Sequence, residues 1–306
     1  MNQRWTAFVA LALATFGWAL SPVFIRYLKG PYDPYSQATL RYASAAAFLM
    51  VYSLILHRGG LRQAFAAPGA TLGLAAMNVL LQATWTAGLY LTTATIGQLI
   101  VKIQVPMVIV LSFLVFREER AIIRSPWFVL GTLISILGAA GVLLEDVGAA
   151  YLPRLDWAVA LLLVSALSWS VYAVWGKRTV ARRLNAIPMF TVVALYTTLG
   201  LGLSSVLLGD PGTILEAPAA TTMLAIFSGI LPIAVAHSAF HYAQKHLGSA
   251  FCGSILLLNP LLTHGLALML WTDEAMIWIQ WLGAVALLGG SAMVIRAGRK
   301  AWGDER

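Results

Sequence analysis

Ten apolar runs, each about twenty residues long, follow one another along the chain with only short polar turns between them. A run of that length crosses the ~30 Å hydrocarbon layer of a bilayer as a helix. Helix is the form that satisfies every backbone N–H and C=O without water. The runs cover roughly residues 4–27, 34–56, 69–91, 94–116, 126–144, 157–177, 186–208, 219–243, 249–271 and 276–296. "KGPYDP", "HRGG", "REER" and "GDPG" mark turns after the first, second, fourth and seventh. Charged residues make up 10% of the chain and the mean hydropathy is +0.81. Soluble domains carry about 25% charged residues, which excludes a water-soluble core. The stretch after Arg4 superficially resembles a signal peptide. It continues to about Ile25, beyond the 7–15 residues of a signal core, so a retained first helix is expected. The expected fold is therefore an all-α polytopic membrane protein with ten transmembrane helices.

A net charge of +8 could suggest a nucleic-acid partner, but the basic residues sit between the apolar runs. Fifteen Lys and Arg fall on the side of the N-terminus, among them Arg4, Arg58, Arg62, Arg120, Arg183 and Arg296; Arg26, Lys29 and Arg154 fall on the other. An excess of basic residues marks cytoplasmic loops, which places both termini in the cytoplasm, with the bilayer as partner and no nucleic acid. Glu145, Asp146, Asp156, Asp210, Glu216, Asp273 and Glu274 show the reverse bias. One cysteine, Cys252, permits no intrachain disulfide.

The two halves, 1–150 and 151–306, repeat each other. "FGWALSPVFIRY" aligns with "LSWSVYAVWGKR", setting Trp18 over Trp169 and Arg26 over Lys177. "IGQLIVKIQVPMVIVLSFLVFREE" aligns with "AFCGSILLLNPLLTHGLALMLWTDE", setting Pro106 over Pro260. A glycine-rich helix closes each half, "LGTLISILGAAGVLL" and "LGAVALLGGSAMVI". Five spans per half is an odd number, so the second half enters the membrane from the opposite side. Inverted repeats of this kind recur in secondary transporters, with the substrate site near the midplane. The glycine-rich helices can pack within a monomer or in a weak homodimer.

The Trp18 segment followed by "LRY" (40–42), the proline-centred fourth and ninth helices, the acidic turns at Glu119 and Glu274 and the glycine-rich closing helices resemble the EamA family of the drug/metabolite transporter superfamily. The resemblance spans nearly the whole chain. It implies a 5+5 inverted repeat that moves small metabolites, often outward, with amino-acid exporters among its members. The sequence departs from the pattern between Glu119 and Gly131, which has three more residues than the stretch from Glu274 to Gly283.

Within the fourth run lies Lys102, its only charge, four residues before Pro106. Proline has no N–H for the carbonyl four residues earlier, so Pro106 and Pro260 are expected to free the carbonyls of Lys102 and Leu256 and to kink or gate two helices around a cavity. The plainer reading of each proline is helix packing. Lys102 lies about eight residues, roughly 12 Å, below the outer end of its helix, from where it could snorkel. Gln98 sits one turn away, and Asn78, Gln82 and Trp85 form a stripe on the preceding helix. A buried polar stripe is expensive unless it faces water or ligand, which favours Lys102 on the transport path. Trp18, Trp169 and Tyr172 supply aromatic surface for binding or for packing. His237 and His264 are candidate proton carriers beside Lys102. His237 and His241, four apart, lack a thiolate or carboxylate partner and are a weak metal signal, so neither metal nor cofactor is expected. Arg41 reads as structural. No acid lies mid-span.

The expectation is a small-metabolite carrier of the bacterial inner membrane, exporting amino acids or related carboxylates by alternating access. Lys102 would pair with the carboxylate, Asn78, Gln82 and Gln98 would hydrogen-bond it, and Trp85, Trp18 and Trp169 would hold the apolar part. An exporter of drug-like or cationic amphiphiles gripped by the aromatics, and an anion-selective channel, are the competing readings. An enzyme is disfavoured: the chain has no "HExxH", no "GxSxG" and no acid pair at membrane depth.

Overall fold

The computed structural model describes residues 3–115, 125–144, 157–180, 185–247, 252 and 255–303. The charged positions Arg117 to Arg124, Glu145, Asp146, Arg154, Asp156, Arg182, Arg183 and Arg306, which entered the loop-charge reading, lie outside the described residues. Among the described residues every regular element is helical. In the first half these are α1 (Gln3–Tyr27), α2 (Pro34–Leu56), α3 (Arg58–Phe65), α4 (Pro68–Tyr90), α5 (Ala94–Ile100), α6 (Gln104–Val115) and α7 (Pro126–Val142). The second half holds α8 (Trp157–Val180), α9 (Ala186–Leu208), α10 (Gly212–Glu216), α11 (Ala219–Gly229), α12 (Ala236–Leu247), α13 (Asn259–Leu268) and α14 (Trp278–Gly303).

Among the described residues, seven helical stretches are long and apolar enough to cross a membrane, and three shorter apolar ones occupy 94–108, 126–142 and 256–268. Two of the three short stretches contain Pro106 and Pro260. Each proline follows a 3₁₀ turn, Val101–Ile103 in one half and Leu256–Leu258 in the other. The expected free carbonyl of Leu256 is in fact taken by the N–H of Asn259. The chain tightens to shorter hydrogen bonds where proline withholds its own. α11 and α12 are likewise joined through a π-helical segment, Ile230–Val235, that contains Pro232. The "HRGG" turn is itself the start of a helix, α3, which packs Leu61 and Ala64 against Val192 of α9.

Helix ends are fixed by side chains that also tie distant segments together. Asp33 caps α2, accepting from the N–H groups of Tyr35 (2.9 Å) and Ser36 (3.1 Å), and reaches Asp210 N–H (3.1 Å) beyond α9. Partial burial alone would raise the Asp33 carboxyl. Hydrogen bonds from Ser36, Asp210 and Tyr35 outweigh burial and hold it below the ordinary carboxylate range. The Glu274 carboxylate accepts from Ala94 and Thr95 N–H at the start of α5, at 2.8 and 2.9 Å. Arg26, at the end of α1, pairs with Glu274 and with Asp273 (2.6 Å).

Repeat-related helices run antiparallel. The start of α2 meets the segment after α9, while Ser53 near its end bonds Thr191 near the start of α9 (2.8 Å). α7 and α14 form the most extensive helix pair. A Cβ at Gly131 would meet Gly290 O at 2.7 Å, and one at Gly138 would meet Leu287 N at 2.3 Å. The glycine-rich faces are therefore used within the chain, where hydrogen allows backbones to touch. The cross-half packing has the same twofold character: α4 lies on α8 as α12 lies on α1, and α6 on α8 as α13 on α1. Outward faces are apolar, with Leu199, Leu203, Val206 and Leu207 all more than half exposed. That distribution and the seven long apolar helices make this an integral, multi-pass membrane protein.

Candidate substrate cavity

Between the halves lies a cavity of about 410 Å³. Trp18 and Ser21 of α1, Gln82 and Trp85 of α4, and Trp169 of α8 form part of its wall. Gln98 and Lys102 join them from α5 and the 3₁₀ turn after it. The second half adds His237 and Phe240 from α12, and Asn259 at the start of α13. The 3₁₀ turn Val101–Ile103 carries Lys102 between α5 and α6, both of which contribute residues to the cavity wall.

Lys102 is 6% exposed, and among the described residues it has no hydrogen-bond partner and no carboxylate within ion-pair distance. Gln98 and Gln104 are its polar neighbours on the wall. An ammonium group taken out of water costs several kcal/mol unless a partner compensates it. Lys102 is the one Lys, Arg, Asp or Glu among the described lining residues.

The polar stripe on α4 divides. Gln82 and Trp85 line the cavity, whereas Asn78 does not. The Asn78 amide donates to Thr197 Oγ1 (3.0 Å) and to the Tyr42 hydroxyl (3.2 Å), which binds α4 to α9 and α2. Its amide is thereby engaged in helix packing, away from the cavity wall. One turn of helix rotates successive stripe positions, and at Asn78 the face already meets two neighbouring helices. Tyr172 also stands off the wall. It stacks on Trp169 (5.8 Å, 26°) and packs beside Leu74 and Met189. Pro106 and Pro260 shape the backbone and do not line the space, though Val105 and Asn259 beside them do.

His237 lines the cavity within an aromatic shell, stacked on Phe190 (4.7 Å, 14°) and edge-on to Trp18 (4.9 Å). Its Nδ1 lies 2.8 Å from Ile233 O and 3.3 Å from Trp18 Nε1. A carbonyl only accepts and an indole N–H only donates, so Nδ1 serves one at a time. His264 lies elsewhere: its Nδ1 meets Thr95 Oγ1 (3.3 Å) and its ring meets the edge of Trp281 (5.0 Å). Asn259, Gln104, Ser21 and Phe240 escaped the sequence reading. Asn259 had a visible signal, being the residue immediately before the repeat-related Pro260.

A second space of about 170 Å³ lies beside Thr92, Thr93, Asp273, Glu274 and Gln280. Ile96 and Ile100 of α5 face it, while Gln98 and Lys102 face the central cavity. A single short helix, pinned at its N-terminus by Glu274, thus separates the two spaces.

Paired, repeat-related broken helices around a central cavity define a class: helical membrane carriers of small molecules. The profile of the EamA-like transporter family matches residues 5–144 and again 156–296, and the chain belongs to that family. Membership places the chain in a family of transporters. The chain is also similar to the uncharacterized transporter YdfC of Bacillus subtilis (strain 168), 28% identical over 183 residues, which is 59% of this chain and 55% of that protein. A chain of known crystal structure superposes with a TM-score of 0.66 at 17% identity, covering 96% of this chain and 98% of the other. That likeness speaks for the fold alone.

Proposed function

We propose that the protein is a ten-span secondary transporter of a bacterial inner membrane, with both termini cytoplasmic, that exports amino acids or related carboxylates by alternating access. The two halves form an inverted 5+5 repeat. Support comes from the loop-charge asymmetry, from repeat-related helices that run antiparallel, and from the separation of two spaces by α5. A barrier between spaces suits a carrier better than an anion channel, which needs a continuous path.

The observation that carries the substrate class is the Lys102 ammonium on the cavity wall, without an ion-pair partner among the described residues. It pairs with the substrate carboxylate, Gln98 and Gln82 hydrogen-bond beside it, and Trp85, Trp18 and Trp169 hold the apolar part. Purified protein in proteoliposomes tests this with labelled amino acids and carboxylates. Lys102→Met, reconstituted in equal amount, should lose at least tenfold in initial uptake. Wild-type rates in that variant reject the assignment. The extent of aromatic wall supports a second reading, an exporter of cationic amphiphiles, for which Trp85→Ala would hurt more than Lys102→Met.

A further inference from the structure

Five buried side-chain atoms lack a hydrogen-bond partner among the described residues: Gln37 Oε1, Arg41 Nε, Thr86 Oγ1, Thr132 Oγ1 and Asn259 Oδ1. Of these, only Asn259 lines the central cavity. Asn259 is 2% exposed and opens α13, directly after the 3₁₀ turn Leu256–Leu258. Its backbone N–H is already committed to Leu256 O. The side-chain oxygen is what this turn leaves over.

A buried amide oxygen without a donor costs about 1–3 kcal/mol. The buried amide of Asn78, by contrast, is matched with Tyr42 and Thr197. The two helix breaks of the two halves face one cavity with opposite chemistry. One carries Lys102, whose ammonium only donates; the other carries Asn259, whose side-chain oxygen only accepts. A single ligand satisfies both when it carries an anion for Lys102 and an N–H donor for Asn259. Among the described lining residues there is no carboxylate to receive an ammonium group, so amide and hydroxyl oxygens, of which Asn259 Oδ1 is the one buried without a partner, and aromatic faces are what the wall offers it.

We infer that Asn259 is a specificity-determining residue that accepts a hydrogen bond from the substrate's ammonium group, so that the site selects amine-bearing carboxylates over their des-amino counterparts. The inference rests on the reading in which Lys102 holds the carboxylate.

L-leucine and 4-methylpentanoate test it, since at neutral pH both carry a carboxylate and only the first an ammonium group. Uptake of each is measured in proteoliposomes at equal concentration. Wild type should favour leucine at least tenfold. Asn259→Leu should bring the two rates within twofold by lowering leucine uptake far more than 4-methylpentanoate uptake, with thermal unfolding in detergent reporting that the variant is folded. Asn259→Asp, which keeps an acceptor, should keep the preference. Should Asn259→Leu take up neither solute, the smaller Asn259→Ala is read by the same criteria. An unchanged leucine preference in Asn259→Leu or Asn259→Ala overturns the proposal, as does a wild type without preference. Lys102→Met separates the two ideas: it should lose both solutes, and wild-type uptake of both overturns the carboxylate reading whatever the Asn259 ratio.

Discussion

Glu274 holds the barrier between the two spaces, and its charge should set how often that barrier opens. The carboxylate accepts two backbone N–H groups at the start of α5, at 2.8 and 2.9 Å, while pairing with Arg26. Glu274→Gln keeps the shape but leaves one oxygen, so one of the two N–H groups loses its acceptor. A hydrogen bond to a charged group is worth about 1.5–3 kcal/mol. Arg26 retains Asp273, so the net loss is about 2 kcal/mol, or roughly a 30-fold shift toward release of α5 at 1.36 kcal/mol per decade. The assay places a cysteine at Val105 on the cavity wall and adds a membrane-impermeant maleimide from the outer side of right-side-out vesicles. The native Cys252 is fully buried and serves as the background. Labelling should accelerate by at least tenfold in the Glu274→Gln background. An unchanged rate, in a variant whose thermal unfolding matches wild type, would refute the reasoning that this contact keeps the cavity closed on that side.

Gly138→Ala should lower thermal stability in detergent by about 1–3 kcal/mol, because its Cβ would stand 2.3 Å from Leu287 N on α14; an unshifted melting temperature would refute the close packing of α7 on α14. Asp33 is held below its ordinary pKa by the bonds that cap α2. Its stabilisation is complete above the unfolded carboxyl value of about 4 and is lost as pH falls through the lower folded value. The melting temperature of wild type should therefore drop more steeply between about pH 5 and 3 than that of Asp33→Asn, and parallel profiles would count against the cap.

Much of the site was legible before any coordinates. Lys102 stood out because one charge in an apolar run is expensive, and Gln98, Gln82 and Trp85 because helical spacing sets them on stripes near the same edge. Asn78 belonged to the same stripe and went elsewhere. Spacing fixes which residues share a face; it does not tell what that face meets at each depth. His237 and His264 illustrate the same limit. Both sit mid-run near a proline, yet one lines the cavity and the other packs against Thr95 and Trp281.

The amino-acid order alone determined that this chain lives in a bilayer, that its halves repeat, and that a proline interrupts the same helix in each. These follow from local chemistry: hydropathy, loop charge and a missing N–H need no knowledge of neighbours. Tertiary structure decided the rest. It paired the glycine faces of α7 and α14 inside the chain, set α5 as a partition latched by Glu274 and Arg26, and left Asn259 with an empty oxygen opposite Lys102's half. Those outcomes depend on helix rotation and on contacts between segments more than a hundred residues apart, which are settled only when all the helices pack together.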